Sequence, residues 1–271
     1  MKILHIIIGL KTGGAETVLK RLIEAHIDNS NYAHEVVSLT EIGKVGEQLL
    51  KRGVKVQSLG MNSAIGGFFV FWQLIRLIRK VKPDIVQTWM YHADLIGGLA
   101  ARFSGVKRVI WGIRTTEIRA SGSMLTVVIR KLCALFSRLI PTVIVCVAEA
   151  SKQVHIALGY DAQRMVIIPN GFIVPDLNRL TEQACKLRKN CDFTEKDIVI
   201  GSVGRFNPVK DQQSFIQAAG IILNKYPNTR IMIVGRDINA TNIDLIKWMN
   251  ETGNIQRFTL LGERGDVDVC M

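Results

Sequence analysis

Short β-branched runs alternate with amphipathic helical stretches along nearly the whole chain, and that alternation admits little other than parallel sheet covered by helices on both faces. Parallel neighbours need a crossover of about a dozen residues or more, and each interval between runs is long enough to supply one. In the first half, strands are expected at Lys2–Ile8, Glu35–Leu39, Val54–Leu59, Ile85–Thr88, Arg108–Ile113, Thr142–Val147 and Met165–Ile168. Helices fill most of the intervals, the first spanning Ala15–His26.

Pro169-Asn170-Gly171 then reads as a turn, and Pro175 keeps the next residues extended. This divides the chain into a domain at 1–168, a linker at 169–178 and a second domain at 179–271. The second domain repeats the alternation, with helices at Arg179–Lys189, Asp211–Tyr226 and Asn242–Glu251 and strands at Ile198–Val203, Arg230–Val234 and Phe258–Leu261. Doubly wound sheets usually carry about five or six strands, so three lead us to expect an incomplete second domain. With 271 residues of which 48% are hydrophobic, two ordinary cores can be filled. The fold class is thus α/β, two Rossmann-like domains.

The formal net charge of +12 is unevenly placed. Up to Ile168 there are 22 Lys/Arg against 11 Asp/Glu, and from Pro169 onward 13 against 12. A basic first domain suits a polyanionic partner: an anionic membrane surface, a phosphate-bearing substrate or nucleic acid. Nucleic acid is disfavoured because the basic residues are scattered and no reading motif accompanies them. A surface tuned for solubility is the plain alternative. No run of about 18 uncharged apolar residues occurs, and Met1–Leu10 lacks the basic flank and cleavage site of a signal peptide, so a cytoplasmic location is expected.

Five cysteines, Cys133, Cys146, Cys185, Cys191 and Cys270, form no CxxC pair and are expected as buried fillers. No metal-ligand cluster is evident. The helix expected over Gly67–Val81 is unusually apolar and aromatic, with Gln73, Arg76, Arg79 and Lys80 on its polar side. That composition fits a helix lying in a membrane interface, and it equally fits one packed on a parallel sheet.

Two loops can carry chemistry. Gly9–Gly14 follows the first strand and opens a helix, which lets main chain approach an anion; a tight turn that needs glycine is the plain alternative. Its spacing is not GxGxxG, and no acidic residue follows in the position a dinucleotide fold uses, which argues against a nicotinamide-dependent oxidoreductase. The second loop is Ile200-Gly201-Ser202-Val203-Gly204-Arg205-Phe206-Asn207-Pro208-Val209-Lys210-Asp211. Here a buried strand ends in glycine, and two cations five residues apart, Arg205 and Lys210, stand before a helix start. Such a pair can converge on a diphosphate, and two solvated surface charges are the plain alternative.

With these segments the chain resembles the retaining GT-B glycosyltransferases of family four, the glycosyl transferases group 1. The resemblance covers nearly the whole chain. It rests on Gly13-Gly14-Ala15-Glu16, Lys82-Pro83-Asp84-Ile85-Val86, Trp89-Met90-Tyr91-His92-Ala93-Asp94, Ile168-Pro169-Asn170-Gly171, Gly204-Arg205 with Lys210, and Leu261-Gly262-Glu263-Arg264 followed by Asp266-Val267. It implies an acceptor-binding first domain and a nucleotide-sugar-binding second domain. By that likeness Arg205 and Lys210 hold the donor diphosphate, with Gly13 and Gly14 facing it from the first domain. Gly262, Glu263 and Arg264 match a loop beside the nucleotide base. His92 matches a catalytic position at the acceptor side, where a packing or capping role is the alternative, and Glu16 and Arg114 fall on the acceptor side.

The resemblance further implies a UDP- or GDP-linked sugar as substrate, no cofactor, and a lipid-linked or saccharide acceptor in cell-surface polysaccharide assembly at the inner face of the cell membrane. Two departures stand out. Arg114 occupies a place where many relatives carry histidine, and the family's pair of glutamates seven residues apart has no match. The chain is therefore expected to be C-terminally truncated and inactive or weakly active, and a non-catalytic lipid- or partner-binding remnant is the competing function.

Overall fold

The computed structural model describes residues 1–116, 124–172 and 176–271, and they form two compact units, Met1–Phe172 and Ile173–Met271. In the first, seven strands run parallel: β1 (Lys2–Ile7), β2 (Ala33–Ser38), β3 (Lys55–Ser58), β4 (Ile85–Trp89), β5 (Val109–Ile113), β6 (Val143–Cys146) and β7 (Met165–Ile167). Their order is β3-β2-β1-β4-β5-β6-β7, so the direction of winding reverses at β1. Ile7 is level with Trp89, and Trp89 with Gly112, which brings the ends of β1, β4 and β5 to one edge.

Alternation along β1 sends Leu4 and Ile6 to one face and Ile7 to the other. Helices α1 (Gly14–Glu24) and α2 (Gly43–Lys51) cover the Ile7 face through Leu19, Ile23, Val45 and Leu49. Helices α3 (Ala64–Val81), α4 (Tyr91–Phe103) and α5 (Met124–Phe136) cover the other. A sixth helix, α6 (Glu149–Ala157), leads to β7. Ser63 caps α3 by accepting from the Gly66 N–H at 3.1 Å, and Lys82, left-handed at φ 49°, ends it before Pro83.

The sequence left α3 divided between a core helix and an interfacial one, and the structure gives it both characters. Val70, Leu74, Ile75 and Ile78 are buried, whereas Phe68 and Phe69 are each 64% exposed and Trp72 is 50% exposed. The segment at Pro169-Asn170-Gly171 is irregular rather than a hydrogen-bonded turn. It is held instead by side chains: Arg114 Nη1 donates to Asn170 Oδ1 at 2.8 Å and Arg21 Nη1 to the Gly171 carbonyl at 3.3 Å.

The second unit contains α7 (Leu177–Asn190), β8 (Ile198–Val203), α8 (Gln212–Lys225), β9 (Thr229–Val234), α9 (Ile243–Glu251) and β10 (Phe258–Leu260). Its strands are parallel in the order β10-β9-β8. Ile216, Leu223, Leu245 and Met249 pack on one face against Ile231 and Ile233, and Leu187 lies on the other against Met232 and Val234. Two expectations are corrected here. β8 is not a buried strand: it pairs with β9 alone among the described residues, and Ile198 and Val203 are exposed. Nor are all the cysteines fillers, for Cys133 and Cys146 are buried, Cys191 and Cys270 half-buried, and Cys185 exposed on a polar helix.

Candidate functional site

The loop after β8 is built by its own side chains. Asn207 Oδ1 accepts from the Val209 N–H at 3.1 Å, and Pro208 opens a short turn that ends at Asp211, left-handed at φ 48°. Asp211 then caps α8 by accepting from Ser214. Gln212, almost fully buried, donates from Nε2 to the Arg205 carbonyl at 2.9 Å and so fixes the backbone from which Arg205 departs. The Lys210 stem lies over Gly204, where an added Cβ would touch its Cγ and Cδ at 3.4 Å. Arg205 and Lys210 thus leave one short loop at the end of β8, both exposed, and neither has an ion-pair partner among the described residues.

Main chain from the next two strands completes this edge. The Gly204 N–H donates to the Val234 carbonyl and the Gly235 N–H to the Gly262 carbonyl, each at 2.8 Å, so the glycines ending β8, β9 and β10 form one ladder. Gly235 has φ +153°, and a Cβ there would collide with the Gly204 carbonyl. Sequence reasoning missed Gly235 and the exposed Arg236 beside it. The signal was present as an echo, since Val203-Gly204-Arg205 and Val234-Gly235-Arg236 end successive strands with the same three residues.

Gly262, left-handed at φ +67°, sits in the same ladder, and Glu263 is exposed beside it. Arg264 is occupied: it makes a two-pronged contact with Asp266, Nε to Oδ1 at 2.9 Å and Nη2 to Oδ2 at 2.6 Å. That hydrogen bond raises the arginine's pKa and lowers the carboxylate's, so the pair stays ionised and mutually neutralised.

In the first unit the expected residues fall at the shared edge of β1, β4 and β5. Gly13 is the extended N-cap of α1, and Glu16 folds back so closely that a Cβ on Gly13 would overlap its carboxylate. Beside Gly14, the first helical residue, there is open space. His92 is the second residue of α4, half-buried, and burial lowers its imidazole pKa. It follows Met90, which stands at φ 71°, ψ 160°, a conformation otherwise reserved for glycine. Arg114 leaves the end of β5 with its guanidinium 4.8 Å from the centre of the Trp89 ring, besides its bond to Asn170. That arginine thus steadies both Trp89 and the 168–171 segment.

Two polar clusters, largely buried, lie under this edge, and no local pattern links their members. Trp89 Nε1–H donates to His5 Nδ1 at 3.3 Å; His5 Nε2 is 2.9 Å from His34 Nδ1, and His34 Nε2 is 3.2 Å from His26 Nδ1. An indole only donates, so the proton of neutral His5 lies on Nε2 and the direction of the whole relay follows. Asp94, fully buried in the first turn of α4, accepts from Thr88 Oγ1 at 2.5 Å, and its Oδ2 has no hydrogen-bond partner among the described residues. Burial raises its pKa to about 7. Among the described residues no group of three His, Cys, Asp or Glu side chains is placed to hold a metal.

Comparison with known proteins agrees with this architecture. Residues 12–174 match the model for Glycosyltransferase Family 4, and residues 185–271 match that for Glycosyl transferases group 1. A UDP-Gal:alpha-D-GlcNAc-diphosphoundecaprenol alpha-1,3-galactosyltransferase of Escherichia coli is 28% identical over 203 residues, which cover 72% of this chain and 51% of that protein. An uncharacterized glycosyltransferase of Methanocaldococcus jannaschii is 22% identical over 195 residues, 68% of this chain and 47% of its own. The chain therefore spans about half the length of the curated relatives it matches. Among solved structures, Anabaena HepE in complex with UDP and glucose superimposes with a TM-score of 0.80 at 19% identity, covering 100% of this chain and 71% of that one. The structural likeness establishes the two-unit α/β fold, and the family match, which takes in more than half of the residues, places the chain in Glycosyltransferase Family 4.

Proposed function

We propose that the second unit binds the diphosphate of a nucleotide sugar between Arg205, Lys210 and the Gly204–Gly235–Gly262 main chain, and that the first unit receives the acceptor at the ends of β1, β4 and β5. The reaction is transfer of the sugar to a hydroxyl of a lipid-linked or saccharide acceptor, with retention of configuration, in assembly of cell-surface polysaccharide. The nucleotide sugar is a substrate, and no cofactor takes part. The two cations and the helix start at α8 neutralise the diphosphate as it leaves. His92, kept neutral by burial, is the group suited to accept a proton from the acceptor hydroxyl. Glu16 and the first turn of α1, opened by Gly13 and Gly14, lie on the acceptor side of the first unit. UDP is the preferred nucleotide, because UDP occupies HepE and the name of the Escherichia coli relative specifies UDP-galactose.

The observation that carries this reading is the local construction of the loop after β8, where the Lys210 stem lies over Gly204, Gln212 holds the Arg205 carbonyl, and both cations are exposed with no ion-pair partner among the described residues. Isothermal titration with UDP tests it. Arg205→Ala and Lys210→Ala should each weaken binding roughly tenfold to a hundredfold, the range expected for one charge-assisted contact. Unchanged affinity in both variants would overturn the assignment. A lipid-binding remnant without catalysis is the second reading, favoured by the exposed aromatics of α3; it predicts no UDP binding at all.

A further inference from the structure

Helices α3 and α5 flank α4 on one side of the first sheet. α4 is recessed, with Phe103 at its last position its one exposed residue, whereas both outer helices hold large apolar side chains in solvent. On α3 these are Phe68, Phe69 and Trp72, which meet edge to face with ring centroids about 6 Å apart. On α5 Met124, Val128 and Leu132 are exposed at successive intervals of four, a stripe turned away from buried Ile129 and Cys133. Soluble proteins rarely leave clusters of large apolar side chains bare unless something covers them.

The charges on the same helices indicate what covers it. Arg76, Arg79 and Lys80 lie in the last turns of α3, Lys131 is on α5 and Arg138 just beyond it, and neither helix contains an acidic residue. A second copy of this chain meeting face to face would set these cations against one another. An anionic lipid surface accepts both components: aromatic and aliphatic side chains enter the acyl boundary while basic stems reach back to headgroups. Orientation adds to the argument. Each helix returns from the edge where the strands end, so the aromatic first turns of α3 and the start of α5 lie toward the edge that carries His92 and Gly14.

We infer that the α3–α5 face seats the first unit on an anionic bilayer, with Phe68, Phe69 and Trp72 inserted and the acceptor edge turned to the membrane. Docking stands on this surface alone; its use in presenting a lipid-linked acceptor rests on the function proposed above. The test is co-sedimentation of the whole chain with phosphatidylcholine vesicles, with and without phosphatidylglycerol, while tryptophan emission is recorded. Binding should require the anionic lipid, weaken with added salt, and be accompanied by a blue shift that Trp72→Phe abolishes. The double variant Phe68→Ser, Phe69→Ser should lower partitioning roughly tenfold or more. Arg76→Gln, Arg79→Gln, Lys80→Gln should erase the preference for phosphatidylglycerol.

No binding to anionic vesicles, binding indifferent to the Phe68→Ser, Phe69→Ser exchange, or a stable dimer that this exchange dissociates would each overturn the inference. A circular dichroism melt confirms that each variant is folded. UDP titration without lipid reports on the transferase reading separately, so either can fail while the other stands.

Discussion

His5 has no exposed surface, and the groups around it decide where its proton sits. Burial first, and then the neighbouring His34 and His26 rings, push its pKa from 6.5 to about 3, and burial lowers that of His34 as well. Between those two values the unfolded chain holds a proton on His5 that the folded one lacks. The associated stability is complete above pH 6.5 and is lost as pH falls toward 3. Asp94 acts in the opposite sense: its raised pKa means the folded state holds the extra proton between 3.8 and about 7, so its contribution fades as pH rises through that range. The two partly cancel in the wild type. Removing the carboxyl with Asp94→Asn should therefore make the urea midpoint fall more steeply on mild acidification than it does in the wild type. Parallel slopes would show that Asp94 does not titrate as its burial requires. Neither group was legible beforehand, because nothing local marks a histidine in an apolar run as one link of a relay closed by Tyr32, His34 and Trp89 from other elements.

Elements with strong periodicity were legible and those defined by their neighbours were not. The apolar runs at Ile3–Ile7 and Ile231–Val234 become fully enclosed strands, as their composition demands. Ile198-Val199-Ile200 reads the same way, yet among the described residues β8 is an edge, since the number of partners beside a strand is not written in the strand itself. Exposed Ile198 next to unpaired main chain makes that edge adhesive. Ile198→Lys should reduce self-association in light scattering without altering UDP affinity, and equal scattering from both proteins would count against the edge as its source. The α3 helix shows the same limit from the other side. Its composition fitted two environments, and only the packing of α4 beneath it separated the buried residues from the aromatic ones.

The molecule as a whole keeps its cores apart: every buried side chain of the two first-unit clusters comes from residues before Phe172, and those of the other two come from after it. Residues 1–172 expressed alone should melt cooperatively by circular dichroism, and a gradual, non-cooperative loss of signal would show that the first core depends on the second unit. Most of the architecture was readable because strand and helix periods repeat for the full length and the punctuating Pro and Gly residues fall between them. The course of the loop after β8 was readable too, as its cations, glycine and Pro208 lie close in sequence. Gly235 was not, because its partner Gly204 is on another strand and their approach exists only in three dimensions.

The ladder through Gly204, Gly235 and Gly262 has one more implication. A floor made of peptide groups presents the same pattern of donors and carbonyls whatever is mutated around it, and one of its tiles, Gly235, has no room for a side chain against the Gly204 carbonyl. Diversification among descendants of such a protein is then confined to the rim, at positions like Arg236 and Glu263, where a new side chain alters the surface without disturbing the platform beneath.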